Sequence, residues 1–124
     1  MKRLHVEAST YCNARCPLCP RSLYGYKVEG VYPEVNLSVE KFKEALARFP
    51  ERNYVYFNGH LGDPMMNPNI VQLAELTNCR TSVTSNGSIG TKETWEGLAE
   101  LGVECRFSID GLEDTNHLYR QDVQ

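Results

Sequence analysis

Apolar residues recur along this chain with two different periods, that of a β-strand and that of an α-helix. Segments with one period alternate with segments that have the other. Alternating apolar positions and β-rich runs predict four strands. These strands cover residues 4–9, 54–57, 80–84 and 103–109. Helix-spaced apolar residues between the runs predict three helices. The first helix covers about residues 39–48, with Phe42, Leu46 and Phe49 on one stripe.

Polar residues and one glycine mark the predicted helix ends. Ser38 and Thr91 are placed to cap the N-termini of the first and third helices. Asn67, followed by Pro68 in the first turn, is predicted to cap the second helix. Gly102 follows the third helix, where a residue in the left-handed region commonly ends a helix.

The predicted order of elements is β-α-β-α-β-α-β, with short connections everywhere except after the first strand. This alternation predicts an α/β fold of parallel strands joined by right-handed crossovers. The pattern leaves open whether the sheet is an open, doubly wound one or part of a barrel. Residues 114–124 resemble the approach to a further helix. Without a linker or a longer repeat, residues 1–124 are predicted to form one domain.

Charge and composition narrow the function classes. The formal net charge is −3 and the basic residues are scattered, which argues against a nucleic-acid partner. The first residues lack the apolar run of a signal peptide, and no stretch is long enough to span a membrane. We therefore expect a cytoplasmic protein with no membrane partner. In that reducing compartment, five cysteines argue against a disulfide framework, and the three that fall within eight residues indicate metal binding instead.

Polar, glycine or cysteine clusters follow the end of every predicted strand. These clusters are residues 12–19, 62–64, 85–87 and 108–111. The carboxyl ends of parallel strands lie at one edge of a sheet, and ligands bind there. The four loops are therefore expected to face one common site.

The first of these loops carries a metal-binding pattern. Cys12, Cys16 and Cys19 have the spacing C-x3-C-x2-C, and thiolates suit zinc or an iron–sulfur cluster. A closed zinc site normally has four ligands, which here would need His60 or a distant cysteine as the fourth. Three thiolates on a four-iron cluster would instead leave one iron open to a small molecule. The three cysteines alone do not decide between a zinc site and an iron–sulfur cluster.

This cysteine loop, directly after a first strand, is similar to the signature of the radical S-adenosylmethionine (radical SAM) superfamily. The resemblance implies that Cys12, Cys16 and Cys19 bind a [4Fe–4S] cluster whose fourth iron is chelated by S-adenosyl-L-methionine. It implies reductive cleavage of that cofactor to a 5′-deoxyadenosyl radical, which abstracts hydrogen from a substrate. It further implies that the parallel βα units form part of a partial TIM barrel, here truncated after about four strands.

Three later loops resemble further motifs of the family, in the expected order. Gly62, Asp63 and Pro64 resemble the G-G-E-P motif whose backbone carbonyls hold the methionine amino group of the cofactor. Leu61 stands in place of its first glycine and Asp63 in place of its glutamate. Each motif alone is equally consistent with an ordinary turn, so their joint occurrence at strand ends carries the resemblance.

The remaining cofactor residues implied by the resemblance follow the third and fourth strands. Ser85 and Asn86 resemble the T-N-G loop. Ser108, Asp110 and Arg120 resemble the S-x-D-G…H-x-x-R segment of the peptide-modifying and molybdenum-cofactor branches, near the ribose and carboxylate of the cofactor. An arginine suits bidentate carboxylate binding. Leu18 stands where many members have an aromatic residue beside the adenine.

Two function classes remain. The first is a radical SAM enzyme or a fragment of one, corresponding to the N-terminal part of the core domain. The resemblance implies a flavodoxin- or ferredoxin-like electron donor, a peptide or small-molecule substrate, and a partner chain that completes the barrel. The second class is a non-catalytic iron–sulfur or zinc binding domain derived from such an enzyme. Cofactor loops at all four strand ends favour the first class.

Several residues keep two interpretations. His60 either faces the site or bonds to backbone in its turn, and Arg21 either contacts a ligand or is a surface charge. Residues 24–32 form either a lid or a local aromatic cluster. Cys79 and Cys105 are expected to be buried structural thiols.

Overall fold

The computed structural model describes residues 2–23, 26–27 and 32–122. Its main sheet has four strands in the spatial order β1-β4-β5-β6, and a two-stranded sheet pairs β2 with β3. The strands are β1 Arg3–Val6, β2 Ser22–Leu23, β3 Tyr26–Lys27, β4 Tyr54–Phe57, β5 Arg80–Ser85 and β6 Glu104–Phe107. The helices are α1 Val39–Arg48, α2 Ile70–Leu76, α3 Lys92–Glu100 and α4 Asn116–Tyr119, with a 3₁₀ helix at Pro64–Met66.

All pairings in the main sheet are parallel, so the predicted α/β fold is confirmed. Each pair of neighbouring strands in this sheet is connected through a helix, and the helix packs on one face of the sheet. The order β1-β4-β5-β6 follows the order in the sequence, and it brings the carboxyl ends of all four strands to one edge.

The first strand is shorter than predicted because the chain leaves the main sheet after Val6. The backbone N–H of Leu37 donates to the Ala8 carbonyl at 2.9 Å, and Ser9 forms an isolated antiparallel bridge with Asn36. These residues therefore pair with the segment before α1 and not with β4. The fourth predicted strand is also shorter and ends at Phe107.

The core lies between the sheet and helices α1, α2 and α3. It combines apolar strand residues such as Val55, Phe57 and Val83 with helix residues such as Phe42 and Leu73. Each of these five side chains is nearly inaccessible to solvent, so this face of the sheet is closed. The opposite face carries Tyr, His and Arg side chains instead.

Two of the predicted helix caps are confirmed. The Ser38 hydroxyl accepts from the Lys41 N–H, and the Thr91 hydroxyl from the Thr94 N–H. Each bond satisfies one of the backbone donors that a helix N-terminus leaves unpaired. Gly102 has φ +68°, the left-handed conformation expected after the third helix.

The predicted cap of the second helix is wrong. The helix begins at Ile70, and its cap residue Asn69 makes no side-chain bond to the helix. Asn67 is instead buried, and its amide nitrogen donates to the carbonyls of Ala8 and Leu37. The Asn67 side chain makes these tertiary contacts because a buried amide left without acceptors would cost free energy.

The remaining differences lie outside the sheet. The β2–β3 pair, which the sequence pattern did not predict, follows the cysteine loop. Most of the 24–32 segment lies outside the described residues. The final predicted helix exists only as the single turn α4. No helix among the described residues is both long and apolar enough to cross a membrane.

Candidate functional site

A cleft of about 230 Å³ opens at the carboxyl ends of the parallel strands. The loops after β1, β4, β5 and β6 all contribute to its wall, together with the end of α4. Ten of the residues predicted from the sequence line it: Cys12, Cys16, Leu18, Cys19, Gly62, Asp63, Ser85, Asn86, Ser108 and Arg120. The expectation of one common site at this edge of the sheet therefore agrees with the geometry.

Two of the predicted residues do not line the cleft themselves. Pro64 is buried at the first position of the 3₁₀ helix, where its missing N–H is not needed. Asp110 is exposed and forms an ion pair with Arg120, which does line the cleft. Both residues therefore support the wall from behind it.

The cysteine loop folds as a series of tight turns. The Cys19 N–H donates to the Cys16 carbonyl at 3.0 Å, and the Ser22 N–H donates to the Cys19 carbonyl at 2.8 Å. These turns bring the thiols of Cys12, Cys16 and Cys19 to the same cleft, and all three thiols are free. In the described part of the chain, no three His, Cys, Asp or Glu side chains converge as ligands of a single metal ion.

The cleft environment acts on the thiols of Cys12 and Cys16 in two opposing ways. Burial raises the pKa of the Cys12 thiol, and a hydrogen bond from the Ala14 backbone N–H opposes this rise. Burial also raises the pKa of Cys16, opposed by the charge of Arg120 and by a hydrogen bond from its guanidinium. The Nη1 atom of Arg120 lies 3.6 Å from Cys16 Sγ. Thiolate binding to a metal would offset the cost of burying these ionised groups.

Gly62 is required by a close approach between two loops of the site. A Cβ atom at this position would lie 2.2 Å from the Ser9 carbonyl oxygen, closer than any side chain can be accommodated. The next residue, Asp63, donates its backbone N–H to the Tyr11 carbonyl at 2.8 Å. The loop after β4 is therefore pressed directly against the start of the cysteine loop.

The Asp63 carboxylate joins the loop after β4 to the loop after β5. One oxygen accepts from the Ser85 hydroxyl at 3.0 Å and from the Asn86 N–H at 2.8 Å. The other accepts from the Met65 N–H at 3.0 Å and caps the 3₁₀ helix. Burial raises the pKa of Asp63, and the hydrogen bonds from Asn86, Met65 and Ser85 oppose that rise.

An amide network that the sequence pattern did not indicate joins the β5 loop to the cysteine loop. The Asn86 amide donates to Asn13 Oδ1 at 2.8 Å, and the Asn13 amide donates to the Ser88 hydroxyl at 2.8 Å. Ser88 in turn donates to Asn86 Oδ1 at 2.7 Å. The ring fixes Asn86 beside Cys12. The sequence shows only that one asparagine lies in the cysteine loop and another beside a glycine after β5. Whether these two side chains meet depends on the fold.

The C-terminal segment of the described chain is held against the cysteine loop. The Arg15 N–H donates to the Gln121 carbonyl at 3.0 Å, and its guanidinium pairs with Asp122. This contact places Tyr119 and Arg120 on the wall of the cleft. Tyr119 was not among the predicted residues, because only the docking of α4 brings it there.

The structure also shows where the residues with two possible roles lie. His60 lines the cleft, and its backbone N–H donates to the carboxylate of Glu7. Arg21 is buried and pairs with Glu34 at 2.7 Å, so it is not a surface charge. Cys79 and Cys105 do not line the cleft and are half-buried, less enclosed than expected.

Comparisons with known proteins agree with this architecture. The family model described as the radical SAM superfamily matches residues 6–123. A tungsten-containing aldehyde ferredoxin oxidoreductase cofactor-modifying protein of Pyrococcus furiosus is 31% identical over 119 residues, covering 90% of this chain and 32% of the relative. The chain thus spans about a third of the length of that relative.

Solved structures give the same fold. Native anSMEcpe with bound AdoMet has a TM-score of 0.73 and 22% identity, covering 97% of this chain and 35% of that chain. BtrN in complex with AdoMet and 2-DOIA has a TM-score of 0.63 and 23% identity, covering 82% of this chain and 42% of that chain.

The fold and the site define a parallel α/β protein of the barrel type, with a thiol-lined cleft at the carboxyl ends of its strands. Within that class, the chain belongs to the radical SAM superfamily. The expected fold, part of the radical SAM barrel, is thereby confirmed. The expected cofactors, a [4Fe–4S] cluster and S-adenosyl-L-methionine, are those typical of this family.

Proposed function

We propose that this chain holds a [4Fe–4S] cluster and S-adenosyl-L-methionine and forms the cofactor-binding part of a radical SAM enzyme. The observation that carries the proposal is the arrangement of three thiols, Cys12, Cys16 and Cys19, on one cleft formed by four strand-end loops. The three thiols would hold three irons, and the cleft in front of them leaves room for a ligand on the fourth. When bound, the cluster supplies the electron that cleaves the cofactor to a 5′-deoxyadenosyl radical.

The chain's own residues would position the cofactor. The Gly62–Asp63–Pro64 loop, fixed by Gly62 against the cysteine loop, would present backbone carbonyls to the amino group. Arg120, beside Cys16, would bind the carboxylate or the ribose, with Asp110 holding its guanidinium in place. The wall of the cofactor pocket at the adjacent strand ends would be formed by Ser85, Asn86 and Ser108.

The substrate, reductant and complete barrel belong to the same proposal. A flavodoxin- or ferredoxin-like donor would supply the electron, and a peptide or small molecule would be the substrate. Four parallel strands do not close a barrel, so a further segment or partner chain would shield the radical from water. We place this chemistry in the cytoplasm, where thiols stay reduced.

The test is anaerobic reconstitution followed by iron analysis and electron paramagnetic resonance. We expect about four irons per chain, lost in Cys12→Ala, Cys16→Ala or Cys19→Ala and retained in the controls Cys79→Ala and Cys105→Ala. Zinc bound tightly in place of iron in protein isolated anaerobically would contradict the proposal.

Cofactor binding is tested on the reduced cluster. Adding S-adenosyl-L-methionine should change its resonance spectrum, and Asp110→Ala or Arg120→Ala should weaken that response. Lys92→Ala is the control, since Lys92 is exposed on α3 and pairs only weakly with Glu96. An unchanged spectrum at saturating cofactor would favour the non-catalytic binding domain.

A further inference from the structure

The side-chain amide of Asn86 lies beside one of the three thiols of the cleft. Its Nδ2 atom is 3.9 Å from Cys12 Sγ and 2.8 Å from Asn13 Oδ1. An amide nitrogen carries two N–H donors, so one bonds to Asn13 while the other is available to the sulfur. The loop after β5 therefore presents a hydrogen-bond donor to a sulfur of the cysteine loop.

The orientation of this amide is fixed by its other end. The Ser88 backbone N–H lies 2.9 Å from Asn86 Oδ1, and a backbone N–H can only donate. The atom that it meets must therefore be the carbonyl oxygen, which leaves the amide nitrogen facing Asn13 and Cys12. The Ser88 hydroxyl donates to the same oxygen at 2.7 Å. Reversing the amide would set two N–H groups against each other.

Three side-chain hydrogen bonds close a ring through Asn86, Asn13 and Ser88. The Asn86 amide donates to Asn13, the Asn13 amide donates to the Ser88 hydroxyl at 2.8 Å, and that hydroxyl donates back to Asn86. Bonds that run in one direction around a ring polarise one another, and each side chain is held by both of its neighbours. The donor beside Cys12 is therefore oriented in advance.

The backbone at Asn86 is fixed as well. Its N–H donates to the buried Asp63 carboxylate at 2.8 Å. The next residue, Gly87, has φ +79°, and its N–H donates to the Ser85 hydroxyl at 3.1 Å. A Cβ atom at Gly87 would lie 2.9 Å from the Phe107 ring, so this turn is packed closely against β6. Backbone and side chain together hold the amide in one place.

Ionisation of Cys12 would strengthen its contact with the amide. A neutral thiol is a weak hydrogen-bond acceptor, whereas hydrogen bonds to an ionised group are roughly twice as strong as neutral ones. Cys12 also accepts from the Ala14 backbone N–H. Hydrogen bonds to a ligand sulfur stabilise the reduced, more negative form of an iron–sulfur cluster. The surroundings of Cys12 therefore suit a ligand thiolate on a cluster that must be reduced.

We propose that Asn86 is a positioning residue of the cluster site, which donates its amide N–H to the Cys12 sulfur and raises the reduction potential of the bound cluster. Asn13 and Ser88 act through Asn86 by fixing the direction of that donor. The potential matters because cleavage of S-adenosyl-L-methionine needs an electron from the reduced cluster. The effect on the potential rests on the proposed function, whereas the contact between Asn86 and Cys12 does not.

Potentiometric titration of the reconstituted cluster, monitored by electron paramagnetic resonance, tests this role. S-adenosyl-L-methionine is left out, so that contacts with the cofactor do not contribute. At a fixed potential, we expect the ratio of reduced to oxidised cluster to fall about threefold or more in Asn86→Ala. Asn86→Asp should lower it further, because a negative charge replaces the donor. Asn13→Ala should cause part of the loss, since the Ser88 N–H still holds the amide oxygen.

The matched control is Asn69→Ala, which removes an exposed asparagine that does not line the cleft and should leave the ratio unchanged. Iron analysis and circular dichroism establish that each variant is loaded and folded. In the cluster-free chain, heteronuclear magnetic resonance provides a second measurement. Cys12→Ala should move the resonance of one Nδ2 proton of Asn86, and Asn13→Ala should move that of the other.

Three results would overturn the proposal. The first is a potential in Asn86→Ala equal to that in Asn69→Ala. The second is a lower potential in Asn86→Asp alone, since the added charge and not the lost donor would then be responsible. The third is an Asn86 amide whose resonances do not respond to Cys12→Ala. Each of these results leaves the iron content of the unmodified chain, and with it the cofactor proposal, unaffected.

Discussion

At the scale of single residues, the Asp63 side chain joins the loop after β4 to the loop after β5. Its carboxylate accepts hydrogen bonds from Ser85, Asn86 and Met65, although it is only 4% exposed. The family motif has a glutamate here, and the shorter aspartate still reaches both neighbouring loops. A buried carboxylate is tolerated when hydrogen-bond donors surround it. The aspartate can therefore replace the glutamate of the motif and still hold the loops after β4 and β5 together.

Removing that carboxylate should destabilise the fold. We expect Asp63→Ala to lower the free energy of unfolding by about 1–3 kcal/mol, because the Asn86 and Met65 N–H groups lose their acceptor. Urea unfolding followed by circular dichroism measures the change. Asp114→Ala removes an exposed aspartate and is the control. Equal stability of the two variants would show that water replaces the Asp63 carboxylate as the acceptor for these N–H groups.

The same residue predicts a pH dependence. Burial raises the pKa of Asp63, so the folded state holds this proton more tightly than the unfolded chain does. Its contribution to stability is complete below the unfolded pKa of about 3.9 and is lost as the pH rises through the higher folded pKa. Asp63→Asn cannot titrate, so its stability relative to the unmodified chain should improve as the pH rises above about 4. Unfolding free energies of the two proteins that stay parallel between pH 4 and 7 would contradict this.

Arg120 predicts a property of the bound cluster. Its guanidinium lies 3.6 Å from Cys16 Sγ, and a positive charge stabilises the reduced, more negative cluster. We expect Arg120→Gln to lower the reduction potential of the reconstituted cluster by about 50 mV. A potentiometric titration monitored by paramagnetic resonance measures it, with the exposed Arg48→Gln as control. A potential equal to that of the control would place Arg120 away from the cluster sulfurs.

At the scale of elements, one buried amide joins three segments. Asn67 donates to the Ala8 carbonyl at 2.7 Å and to the Leu37 carbonyl at 3.0 Å, and accepts from the Asn69 N–H at 2.9 Å. The exit of β1, the entry of α1 and the approach to α2 are thereby fixed to one another. The cysteine loop starts from the first of these segments, so its placement depends on this junction.

Asn67→Ala should therefore be costly. The Leu37 carbonyl and the Asn69 N–H lose a partner, and the Ala8 carbonyl keeps only the bond from the Leu37 N–H. We therefore expect a loss of about 2–4 kcal/mol in the free energy of unfolding. Asn69→Ala, two residues away, removes an exposed side chain that makes no cap bond and should cost far less. Thermal and urea unfolding of both variants provide the comparison. A similar cost for the two substitutions would contradict the role of Asn67.

At the scale of the whole molecule, β6 forms one edge of the main sheet. It pairs with β5 on one side, and apolar side chains are exposed beside and beyond it. Exposed fractions are 53% for Phe107, 69% for Ile109, 77% for Leu112 and 65% for Leu118. Unpaired strand edges with apolar neighbours favour association with another strand. This is the edge where a barrel would continue.

We expect the 124-residue chain to self-associate, or to bind a partner that supplies further strands. Size-exclusion chromatography with light scattering should show concentration-dependent assembly, reduced in Ile109→Lys. Leu101→Lys, at an apolar position beyond α3, is the control. A monomer at high concentration, with strong protection of the outward β6 amides from hydrogen exchange, would show that the edge is already covered.

Sequence alone determined the elements whose patterns are local. The bounds of α1 and β4, the caps Ser38 and Thr91, and Gly102 after α3 follow from periodicity and capping, which act within a few residues. The common edge of the four loops follows from parallel topology, and the identity of the cofactors from the cysteine spacing and its resemblance to a family. These inferences require no knowledge of which side chains meet.

Only the tertiary structure decided the contacts between distant segments. Three such contacts are the junction at Asn67, the ring of Asn13, Asn86 and Ser88, and the pairing of Arg21 with Glu34, each of which joins residues from separate segments. A polar side chain can satisfy its hydrogen bonds locally, in water or across the fold, and local sequence does not rank these options. The register of the parallel strands, set by burial of the apolar face against the helices, decides which of them are available.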